Sequence, residues 1–164
     1  MNKTDDDFLW DGSGTPDADV ADLQKTLAPL AHNAPLDEVR LARAYLEDYS
    51  KRADAAAVLA EIAGAMPANT DRLSGPEKNT YAAVWSLMGN MNREDGNFAK
   101  ASTDLLKAGT LYASTDGERA AEALYGAIHC FLQYGMTGDA RSATETLASS
   151  WPDSVWTRRA VMLI

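Results

Sequence analysis

The chain is 164 residues long, enough for one domain with its own core, and its 46% hydrophobic content excludes wholesale disorder. Net charge is −9 at pH 7, and Asp5, Asp6, Asp7, Asp11, Asp17, Asp19 and Asp22 place most of it near the start. No basic face is visible that would displace counterions from nucleic acid or hold an anionic membrane, so neither is expected as a partner. The single cysteine, Cys130, excludes an internal disulfide and fits a reducing compartment. The opening Met1 to Asp7 lacks the basic and apolar regions of a signal peptide. No window nears the roughly eighteen apolar residues of a membrane span, so a cytoplasmic location is expected.

Residues 1–16 read as an acidic, aromatic arm. Phe8-Leu9-Trp10 is an apolar triplet among acids, followed by the turn-rich run Asp11-Gly12-Ser13-Gly14. Thr15 and Pro16 suit the cap and first position of a short helix, and residues 17–34 form that helix and a linker, with Val20, Leu23, Leu27 and Leu30 on one face. Residues 35–164 then read as helical hairpins. Leu36 to about Tyr49 carries Val39, Ala42, Tyr45 and Leu46 on one stripe. Ala53 to Met66 carries Ala55, Val58, Leu59 and Ile62, and Pro67 ends it. Ser74-Gly75-Pro76-Glu77 is a capping box that opens a helix to about Arg93, with Tyr81, Val84, Trp85, Met88 and Met91 inward. Gly96 breaks that helix and a partner runs from about Asn97 to Tyr112. Thr115-Asp116-Gly117-Glu118 reads as a second capping box, opening a helix to about Tyr134. Gly138 breaks it before a helix from Asp139 to Ser150, and Pro152-Asp153-Ser154 starts a last one to Ile164. No segment alternates as a strand does. The expected fold is all-α.

Trp85-x2-Met88-Gly89, followed by Gly96-x-Phe98-x2-Ala101-x3-Leu105-x2-Ala108, resembles the tetratricopeptide repeat in residue type and spacing. The departures are Asn92 where Tyr is usual and Ala113 where Pro is usual. Weaker copies flank it: Leu41, Ala42, Tyr45, Ala55, Leu59, Ile62 and Pro67 before, and Tyr134, Gly138, Ala143 and Leu147 after. Their small residues Ala55, Ala101 and Ala143 recur at intervals longer than the usual repeat. Trp151-Pro152-Asp153-Ser154 is similar to the end of repeats in outer-membrane-assembly and Tol-associated proteins. The resemblance implies antiparallel hairpins stacked as a short right-handed solenoid, acting as a protein-interaction scaffold and not as an enzyme. It also implies a groove lined by first helices, which carries over to Ser86, Asn90, Arg93 and Glu94 in the central unit. In the third unit it carries over to Tyr125, His129 and Leu132. A protein or peptide is the expected partner. The segment from Phe8 to Asp17 also resembles the leader of bacterial FecR-like and anti-sigma-type membrane regulators, which gives a second expectation: a regulatory protein acting through its arm. Phe8, Leu9 and Trp10 then either anchor the arm as a cap on the first repeat or are themselves recognised by another protein.

His129 and Cys130 are adjacent, so their side chains diverge by about 100° on a helix and suit neither a metal pair nor a nucleophile–base pair. His32 stands alone in a loop. Gly12-Ser13-Gly14 lacks the Lys-Ser/Thr ending of a phosphate cradle, and Asp5 to Asp7 lacks the ligand alternation of a calcium loop. Glu118 and Glu122 read as surface charge, and the methionines as core filler. No cofactor and no metal are expected. The apolar end Val161-Met162-Leu163-Ile164 presents a surface through which copies of the chain can pair.

Overall fold

Helices carry the whole computed structural model, which describes residues 34–47 and 49–164 and shows no strand among them. They are α1 (Ala34–Glu47), α2 (Arg52–Gly64), α3 (Gly75–Glu94), α4 (Phe98–Tyr112), α5 (Gly117–Gln133), α6 (Thr137–Ser150) and α7 (Val155–Val161), with 3-10 turns at Tyr49–Lys51 and Thr70–Arg72. Pro35–Ile164 forms one compact unit. The arm with Phe8, Leu9 and Trp10, and the short helix expected after it, lie outside the described residues.

Local chemistry explains where three of the helices begin. At α3 the Ser74 hydroxyl accepts from the Glu77 N–H at 3.4 Å, while a Glu77 carboxylate oxygen accepts from the Ser74 N–H at 2.8 Å. The capping box is therefore complete. At α5 the cap is Asp116, not Thr115: its carboxylate accepts from the Arg119 N–H at 3.1 Å. Thr115 instead donates its hydroxyl toward Asn79, and Glu118 accepts a hydrogen bond from the Ser154 hydroxyl at 3.0 Å. Both residues expected to close that box are used in contacts between helices. The last helix stops at Val161, short of Ile164.

The turns differ from expectation at one glycine. Gly96 (φ 77°) and Gly135 (φ 83°) adopt the left-handed conformation that a side chain disfavours, whereas Gly138 lies inside α6 with open space beside it. The α5–α6 turn therefore hinges on Gly135. Counting from these glycines makes Ala140, not Ala143, the counterpart of Ala101. Ala101 and Ala140 are both fully buried.

Packing follows the small residues. A Cβ on Gly89 of α3 would sit 2.6 Å from Leu105 Cγ, and one on Gly126 of α5 would sit 3.1 Å from Leu105 Cδ1. Leu105, buried to 2% exposure, is thus clasped between two glycines, and α3, α4 and α5 approach along their length. Gly89 meets Leu105 while Asn92, further along α3, meets Asp104, so the helices run antiparallel. Gly109 lies against Ala120 to Leu124 while Leu105 meets Gly126, so α4 and α5 are antiparallel as well. Val39 and Ala42 of α1 share a core with Leu59 and Ile62 of α2 and Val84 and Met91 of α3. A second core joins Leu105, Leu124, Ile128, Phe131, Leu147 and Ala160.

The Trp151-Pro152-Asp153-Ser154 segment ties the end of the chain to α5. A Cβ on Gly117 would fall 2.7 Å from Trp151 Nε1, so the indole lies flush on the helix start. Ser154 caps α7 by accepting from the Trp156 N–H at 3.1 Å.

Candidate functional site

Residues from α1, α3, α4 and α5 bring a polar cleft together. Arg43 from α1, Ala83, Ser86 and Leu87 from α3, Tyr112 at the end of α4, and Arg119 and Glu122 from α5 line a hollow of about 220 Å³. Its position follows from the fold, because α3 touches α5 directly, and the middle of α3 meets the first turns of α5 there. Arg119 sits with its guanidinium carbon 5.8 Å from the Tyr112 ring centroid and its Nε 3.4 Å from an Asp116 carboxylate oxygen. The Tyr112 hydroxyl beside it, then the carboxylates of Asp116 and Glu122, push the guanidinium above its ordinary pKa. It keeps its charge at every working pH.

Of the residues expected in the groove, Ser86 lines this cleft. The others have varied surroundings. Glu94 accepts a 2.9 Å ion pair from Arg52 Nη1, and Arg52 also reaches Asp95 and the Met91 carbonyl at 3.0 Å each. That fork ties the start of α2 to the end of α3 and draws Glu94 toward α2. Asn90 and Arg93 are partly exposed on α3, and the Arg93 charge is felt at Cys130 on α5. Tyr125 stacks on Trp156 of α7, with centroids 5.3 Å apart and planes tilted 36°. Leu132 packs against the second core. His129 buries its Nδ1 without a hydrogen-bond partner among the described residues.

Besides Ser86, none of the cleft residues was among those expected in the groove, and four of them are polar: Arg43, Tyr112, Arg119 and Glu122. Arg119 and Glu122 occupy one face of α5, three residues apart, which is a readable signal. Their convergence with Arg43 depends on how three helices stack.

A buried polar pair also went unforeseen. Asn92 donates from Nδ2 to Asp104 Oδ2 at 2.8 Å, and Asp104 is only 3% exposed. Burial raises the Asp104 pKa, opposed by the Asn92 hydrogen bond and by the positive charges of Lys107 and Lys100. Lys107 also places its ammonium 3.8 Å over the Trp85 ring. Burial likewise pushes the Cys130 thiol up, against the nearby Arg93 charge, which leaves it a weak nucleophile.

Among the described residues no three His, Cys, Asp or Glu side chains gather to hold a metal, and no helix is long and apolar enough to cross a membrane. Compared with protein-family models, curated protein sequences and solved structures, the chain matches none.

Proposed function

We propose that this chain is a protein-interaction module, a tetratricopeptide-like right-handed scaffold of the cytoplasm that holds an extended segment of a partner protein. The observation that carries the reading is the convergence of Arg43, Ser86 and the Arg119–Glu122 pair from three different helices on one cleft. Guanidinium and hydroxyl groups donate to peptide carbonyls or carboxylates, and Glu122 accepts from a peptide N–H. A short stretch of backbone thus finds partners for both of its polar groups. Pocket-lining donors and acceptors without a histidine or cysteine among them suit binding better than turnover.

The experiment is selection of random peptides on the full chain by display, followed by calorimetry of the selected sequences against Ser86→Arg. The substitution fills the cleft from a partly exposed position, so binding is expected to weaken at least tenfold. Peptides that bind Ser86→Arg as tightly as the parent chain would remove the cleft from the account.

A further inference from the structure

A larger trough, of about 500 Å³, runs between α4 and α6 with α5 beneath it, and shares no lining residue with the polar cleft. Its floor is apolar and tight: Gly109, Ala120 and Leu124 are buried there. Trp151 closes one end, and Asp139 at the other is the single charged group in the lining. From Asp139 to Ser150 the wall of α6 extends about 16 Å, or three helical turns.

The wall chemistry selects the shape of the occupant. Thr110 donates its hydroxyl to the Leu106 carbonyl at 2.9 Å and Thr146 donates to Ser142 at 3.0 Å. These hydroxyl protons are used inside their own helices, and the backbone of α4 and α6 is bonded within each helix. Beyond the exposed Ser142 and Ser150 hydroxyls, an extended peptide laid in the trough would leave its own N–H and C=O groups without partners over the apolar floor, which is costly. A helix satisfies those groups internally. Small wall residues let such a helix approach closely, and Asp139 attracts either a basic side chain or the positive end of a helix dipole.

We propose that the α4–α6 trough binds an amphipathic α-helix of about three turns from a partner protein, with its apolar face inward and its N-terminal, basic end at Asp139.

The test uses the full chain and a stapled helical peptide of about twelve residues, with a leucine–alanine face and lysine near its N-terminus. Calorimetry should show binding that falls at least tenfold when a central proline breaks the helix. It should fall as much in Thr146→Arg, and stay unchanged in Thr146→Ser and in Ser86→Arg. Asp139→Lys should reverse the preference between the lysine peptide and its glutamate counterpart. Circular dichroism melting checks that Thr146→Arg folds, and Ser142→Arg replaces it if it does not. Equal affinity for the proline peptide, unchanged affinity in a folded Thr146→Arg, or no binding at all would overturn the proposal. A dimer seen by sedimentation and abolished by Thr146→Arg would also overturn it, by assigning the trough to a second copy of the chain.

Discussion

Substituting Gly89→Ala tests the central packing argument most sharply. The new Cβ would stand 2.6 Å from Leu105 Cγ, 2.9 Å from Cδ2 and 3.2 Å from the Leu105 backbone nitrogen. Leu105 has nowhere to retreat, because Gly126 lies against its Cδ1 from the other side. Alanine is the better helix former by about 1 kcal/mol, which favours the variant. Overpacking in a closed core costs about 1–3 kcal/mol. With backbone among the clashing atoms the upper half of that range applies, and the net effect is a loss of about 1–2 kcal/mol. The sign should reverse once Leu105 is cut back. Leu105→Ala alone costs about 3 kcal/mol or more through the cavity it opens. Adding Gly89→Ala to it then gains about 0.5–1 kcal/mol, from propensity and from partial filling. Urea unfolding followed by circular dichroism reads all four corners of this cycle. A Gly89→Ala chain as stable as the parent, or the same effect in both backgrounds, would refute the close approach of α3 and α4.

Other substitutions follow from single contacts. Asp116→Ala should cost about 1 kcal/mol in thermal or urea unfolding, since Asp116 holds the cap of α5; stability equal to the parent would refute that cap. Asn92→Ala removes the one side-chain donor seen on the buried Asp104 carboxylate and should cost about 1–3 kcal/mol. Asp104 binds its proton more tightly folded than unfolded, so its charged form opposes folding at neutral pH and that cost is lifted as pH falls through the folded pKa. Asp104→Asn, which carries no such charge, should therefore gain on the parent at pH 7, and the advantage should shrink on acidification; a pH-independent difference would refute this. Arg52→Lys keeps the charge but loses the fork to Glu94, Asp95 and the Met91 carbonyl, and should forfeit most of what Arg52→Ala loses; stability equal to the parent would refute the fork.

Features set by neighbouring residues were legible in the amino-acid sequence. The Ser74–Glu77 box declares the start of α3 because both partners lie within one turn. The closeness of α3 and α4 was readable from Gly89 and Ala101 in the tetratricopeptide-like spacing. Where two local choices compete, tertiary contacts decide. Thr115 and Asp116 are both good caps, and the choice follows from Asn79 and Ser154 drawing Thr115 and Glu118 away. Gly135 and Gly138 are both plausible breaks, and only Gly135 takes the left-handed conformation. The candidate site divides the same way. Ser86 was expected in the groove only through the tetratricopeptide resemblance. Its neighbours Arg43, Arg119 and Glu122 are distant in the chain and meet only when α1, α3 and α5 stack. Tyr125 was expected in the groove through the same resemblance, but α7 folds back to place Trp156 on it.

The most direct measurement of the binding account is the map of amide chemical-shift changes when a peptide selected by display on the Thr146→Arg chain, whose trough is filled, is titrated into the labelled parent chain. The account predicts the largest changes at Ser86, Arg119 and Glu122, with Arg43 joining them and the α4–α6 trough quiet. Changes confined to Leu106, Thr146 and their neighbours, or absent from the first-helix face, would contradict it.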